Sequence, residues 1–185
     1  QKQSFPDKWL NGPFDEDQTL SIKYNRYVLN VSAAGATTLV LPVGTSSLPS
    51  GVTAYELTYT SGDKLTASSV DKITANKPVL INAAQGQYLF ETTNNDESGT
   101  FTYDTDNAQN NGVLYGIYTD TYKYVPQNSF VLQNGASGLG FYKVTAANTI
   151  KITSFRAYAT FTYSGSSEAR QFIGIDFSDN ETTGI

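Results

Sequence analysis

The sequence predicts an all-β fold, an antiparallel β-sandwich of jelly-roll type with little or no helix. Three observations carry that expectation. Runs rich in Val, Ile, Thr, Tyr and Phe alternate along the chain with clusters of Gly, Asn, Asp, Ser and Pro. The clearest run, Phe155 to Tyr163, has period two. Phe155, Ala157, Ala159, Phe161 and Tyr163 share one face, and Arg156, Tyr158, Thr160 and Thr162 the other. No stretch carries a convincing 3.6-residue apolar stripe. The nearest, Ala67 to Ala75, is weakened by its Ser and β-branched content. Without crossover helices, a parallel α/β sheet has nothing to connect its strands.

The elements follow in order. Residues 1–18, QKQSFPDKWLNGPFDEDQ, hold two prolines, a glycine and four acids with no period. They read as an N-terminal arm or cap, pinned by Phe5, Trp9 and Phe14. A single β-sandwich domain is predicted over 19–185. Its strands are expected at 19–31, 36–42, 52–60, 64–70, 78–83, 87–93, 99–104, 112–119, 122–126, 128–134, 139–145, 149–153, 155–163 and 170–177. Ser61-Gly62-Asp63 marks a hairpin, because Gly62 can take the positive φ of a tight turn. Gln85-Gly86 and Asn134-Gly135 sit between apolar runs in the same way. Pro42, Pro49, Pro78 and Pro126 fall at run edges, where a missing N–H costs no ladder bond. Residues 78–86 and 130–138 share Val, Leu, Asn, Ala and Gly at matching positions. This echo reads as shared hairpin grammar rather than as a repeat architecture.

Composition narrows the chemistry by subtraction. At 185 residues the chain is one domain in size, and 39% hydrophobic content supplies a core. Seventeen acids against twelve bases give a net charge of −5, which argues against nucleic acid as a partner. The absence of Cys removes disulfides, thiol nucleophiles and Cys-type zinc sites; the absence of His removes His-based triads and His-ligated catalytic metals. No run approaches the ~18 apolar residues a membrane span needs. Met is absent too, so a chain beginning at Gln1 reads as processed or excised.

Four chemistries fit what is left. Glycoside hydrolysis needs only two carboxylates, and Glu56 and Glu91 lie within predicted strands; outward-facing charges paired with Lys or Arg are the simpler account. Oxygen ligands suit calcium, and Asp104, Asp106 and Asn107, followed by Asn110 and Asn111, form the best oxygen-rich loop. That loop lacks the distal Glu of an EF-hand, and Asp and Asn are ordinary turn formers. A serine–lysine site has Ser61–Lys64 and Ser69–Lys72 but no Lys-Thr-Gly or Gly-x-Ser-x-Gly, so it is set aside, with no cofactor expected beyond that calcium. The positive signal is aromatic. Tyr115, Tyr118, Tyr122 and Tyr124 cluster beside Asp120, and flat rings with polar neighbours suit sugar faces or a protein interface.

A resemblance adds to this reading. Ala36-Thr37-Thr38-Leu39-Val40-Leu41-Pro42 resembles the "G-W-x-T-L-x-L-P-F" opening of small β-modules in secreted and cell-surface proteins of gut Gram-negative anaerobes. Ser50 to Tyr55 resembles their "G-V-x-A-Y" strand, and Ile73 to Ile81 their "I-P-A-N-x-P-Y-L-I". Phe130 to Lys143 resembles "Y-V-L-Q-N-x-x-G-x-G-F-Y-K", Phe155 to Tyr158 "x-R-A-Y-L", and Asp176 to Ile185 their tail. The likeness covers residues 20–185 in order; Ala36 stands where Trp is common and Val43 where Phe is. It implies a β-sandwich, an exported and surface-associated life in a Gram-negative bacterium, a chain continuing beyond Gln1 or Ile185, and no established catalytic residues. The resulting expectation is a non-catalytic binding or adhesion module for a glycan or a cell-surface protein. A structural spacer associating through edge strands and a small two-carboxylate glycosidase are the alternatives.

Overall fold

The computed structural model describes residues 3–4, 17–21, 25–91, 98–102, 108–119, 121–162 and 170–177. Among them the chain is all-β, without a helix, as the alternation of apolar and turn residues requires. No helix long and apolar enough to cross a membrane occurs among these residues. The predicted arm keeps only Gln3, Ser4, Asp17 and Gln18 in view; Phe5, Trp9 and Phe14 lie outside the described residues.

Ten strands form one large sheet in the order β10-β11-β16-β13-β14-β17-β6-β5-β7-β4. Its N-terminal half holds β4 (Ala36–Leu39), β5 (Val52–Thr58), β6 (Lys64–Val70) and β7 (Val79–Ala83). Its C-terminal half holds β10 (Ala108–Asn111), β11 (Leu114–Ile117), β13 (Phe130–Gly135), β14 (Gly138–Lys143) and β16 (Arg156–Ala159). The last strand, β17 (Phe172–Asp176), joins the halves, antiparallel to β14 and parallel to β6. That parallel pair makes the sheet mixed where the sequence predicts antiparallel pairing throughout. The direction of β17 is set by its bonds to β14, and β6 meets it as it lies.

Smaller sheets lie beside the large one. β3 (Asn25–Val31) pairs antiparallel with β8 (Gly86–Glu91) and parallel with β1 (Gln3–Ser4). β2 (Asp17–Ser21) pairs with β9 (Ser98–Thr102), and β12 (Lys123–Tyr124) with β15 (Lys151–Ile152). The single run predicted over 19–31 is therefore two strands with different partners. β1 and β10 were not predicted: QS and AQNN carry no apolar alternation, and their strands are defined by pairing with β3 and β11.

The hairpin at Gly62 forms, with φ +84° there and β5 registered on β6 from Ala54↔Val70 to Thr58↔Thr66. The β13–β14 hairpin forms too, but it turns at Ala136-Ser137 between Gly135 and Gly138, just past Asn134-Gly135. Gln85-Gly86 does not close a hairpin. It carries the chain from β7 in the large sheet to β8 in the small one, so the echo between 78–86 and 130–138 is not a duplicated hairpin.

Three cores result, because central strands bury both faces. On β7, Val79, Ile81 and Ala83 pack toward β3 and β8, while Leu80 joins Tyr55, Leu57, Leu65, Phe130, Phe141 and Ile173 inside the curled sheet. On β16, Ala157 and Ala159 face that same interior. Tyr158 faces a third core with Ile117, Val125, Val131 and Val144, which Ile150 and Ile152 help to cover. The period-two reading of this strand holds at 157–159 but fails at Phe155. Phe155 takes φ +67° and turns its ring into the first core, edge-on to Tyr27 at 5.1 Å and Tyr118 at 6.0 Å. A left-handed aromatic residue is strained by roughly 1–3 kcal/mol. Its backbone is held on both sides: the N–H donates to Ile117 O at 2.8 Å and the carbonyl accepts from Val40 N at 3.0 Å.

The same region closes the curl. The Thr38 hydroxyl donates to Ala157 O at 3.1 Å and accepts from Ala157 N at 2.9 Å, taking the place of a ladder partner between β4 and β16. Arg156 Nη1 donates to Thr38 O at 3.3 Å. Close approach needs a small residue opposite. A Cβ on Gly116, which pairs with Ala157, would stand 2.7 Å from the Val40 side chain. Thr38→Val should cost at least about 2 kcal/mol, since it strands two buried backbone groups at ~1–3 kcal/mol each. Urea unfolding measures it, and Thr38→Ser, which keeps the hydroxyl, should recover most of the loss.

Candidate functional site

The described members of the tyrosine cluster separate into three settings. Tyr118 is 1% exposed, and its hydroxyl donates to Asn76 Oδ1 at 2.9 Å. This corrects its reading as a ligand-binding ring: the side chain is a core packing element with no face to offer. Tyr122 and Tyr124 meet edge-to-face at 5.3 Å, and Lys151 Nζ sits 4.0 Å from the centre of the Tyr122 ring and 5.4 Å from that of Tyr124. The ammonium thus occupies ring surface that a sugar would stack on. Tyr115 lies on β11, half-buried and stacked on Tyr158 at 5.7 Å with 12° between planes. Asp120 lies outside the described residues, as do the calcium candidates Asp104, Asp106 and Asn107. Among the described residues no three acidic side chains gather as a metal site. Glu56 stands on β5 opposite Ser68, and Glu91 on β8 opposite Arg26, so the two carboxylates belong to different sheets.

Of these rings, Tyr115 lines a cleft. The opening, of about 560 Å³, is bounded by Thr58, Tyr59, Gly112, Val113, Tyr115, Thr160, Phe161 and Thr162. Its size falls within the ~300–1,000 Å³ of small-molecule sites. Three parts of the chain converge to build it: the end of β5, the β10–β11 turn with the start of β11, and the segment leaving β16. Thr160 N donates to Val113 O at 3.0 Å, tying the third part to the second. Thr58 faces Thr66 at the last register position of the β5–β6 pair, where the strands part toward their hairpin.

The rings are braced from behind. Phe161 stacks on Phe130 at 5.2 Å with 17° between planes and tilts against Tyr59 at 4.6 Å. The Tyr59 hydroxyl donates to Gly62 O at 3.3 Å, which ties its ring to the hairpin. Thr58, Thr160 and Thr162 alternate with these rings, and among the described residues no charged one lines the opening. Rings and threonines together supply flat apolar faces and groups that both donate and accept hydrogen bonds. Sequence reasoning missed Thr58, Tyr59 and Phe161 as site residues. The signal was present as two short aromatic-threonine alternations, Thr58-Tyr59-Thr60 and Thr160-Phe161-Thr162, but only sheet pairing brings them to one place.

No protein-family model, no curated protein and no solved structure matches the chain.

Burial pushes the Tyr118 hydroxyl well above the usual tyrosine value; burial, and then the neighbouring Tyr115, raise that of Tyr158. The unfolded chain therefore loses these protons at lower pH than the folded one. The stabilisation is fully present below the ordinary tyrosine value of ~10 and is lost as pH rises above it. Tyr118→Phe should cost about 1 kcal/mol at neutral pH through the lost Asn76 bond. It should also flatten the alkaline decline without abolishing it, since Tyr158 remains; urea midpoints measured across the alkaline range check both.

Proposed function

We propose that the chain is a non-catalytic binding module of an exported or surface-displayed protein, and that its cleft takes a glycan. The observation that carries this reading is the lining itself, in which the braced rings of Tyr59, Tyr115 and Phe161 are interleaved with Thr58, Thr160 and Thr162. A sugar presents C–H faces and hydroxyl edges, which match rings and hydroxyls respectively. The order of segments from Ala36 to Ile185 that resembles surface β-modules of gut Gram-negative anaerobes supports the exported setting. Catalysis has no support from Glu56 and Glu91, which sit on separate sheets. The site is shallow and made of few anchors, so affinity for a single short ligand is weak and display in many copies would raise it.

Calorimetric titration with a panel of polysaccharides tests the proposal. At least one should bind, and Tyr115→Ala should weaken it about tenfold, the loss of ~1.4 kcal/mol being near the upper end for an aromatic contact. Tyr122→Ala, outside the cleft, should leave binding unchanged. A folded chain that binds no polysaccharide overturns the reading.

A second reading rests on the small sheet. Val28 on β3 and Leu89 on β8 face each other and are 42% and 40% exposed, and β8 ends its sheet among the described elements. An apolar pair beside an edge suits a spacer that associates strand to strand. That reading expects concentration-dependent association in sedimentation, abolished by Leu89→Lys; a monomer at all concentrations removes it.

A further inference from the structure

We draw no further inference here: the strongest candidate, the surface patch where the Tyr142 ring of β14 and the Phe172 ring of β17 meet at 4.9 Å over Gly135 and Gly140, is an apolar sheet face, and nothing in the structure shows what covers it.

Discussion

The fold depends on one threonine standing in for a strand. A curled sheet must either close its ladder or leave two edges with unpaired backbone groups. Here β4 and β16 meet without a regular ladder, and the Thr38 hydroxyl supplies the missing partner by donating to Ala157 O and accepting from Ala157 N. Val40 N reaches Phe155 O one step further along, and Arg156 reaches Thr38 O from the other side. The approach is possible because Gly116 and Ala157 keep that side thin. Phe155 in turn accepts a left-handed backbone so that its N–H and carbonyl bond β11 and β4 at once, while its ring anchors the first core.

The opposite seam is joined by strand pairing, with Phe172 of β17 packed against Tyr142 of β14. β17 bonds to β14 on one side and β6 on the other, so the last described strand completes a sheet begun far earlier in the chain. With both seams joined, residues from each half enclose one interior, and the first and third cores lie outside it. This arrangement explains the abundance of tyrosine better than a ligand platform does. A strand buried on both faces needs large side chains in each direction, and Tyr55 on β5 and Tyr158 on β16 fill such positions. Where the interior reaches the surface, near the ends of β5 and β16, rings of the same kind become the wall of the cleft.

Much of the architecture was legible because strands announce themselves locally. Apolar alternation, β-branched residues and turn clusters located nearly every described strand longer than two residues, and Pro42, Pro49, Pro78 and Pro126 fell outside strands as their missing N–H demands. The exceptions are instructive. β10, with its AQNN sequence, forms because β11 offers it a ladder, not because its side chains pattern it. Gln85-Gly86 has hairpin letters, yet the chain there leaves one sheet for another, which no local signal records. Clustering in sequence misled at Tyr118 for the same reason: just past the end of β11 its ring turns into the core, while Tyr115 on that strand reaches the cleft.

The sequence by itself determined the fold class, the strand positions, and the restriction of any chemistry to rings, hydroxyls, amides and carboxylates. Those properties follow from composition and from the two-residue period of a pleated chain, which act over a few residues. Tertiary structure alone decided which strands are neighbours, which tyrosines are core, and where Tyr59, Tyr115 and Phe161 converge with the threonines. Such outcomes depend on pairings between residues far apart in the chain, whose partners are chosen by the closure of the whole sheet rather than by any local preference.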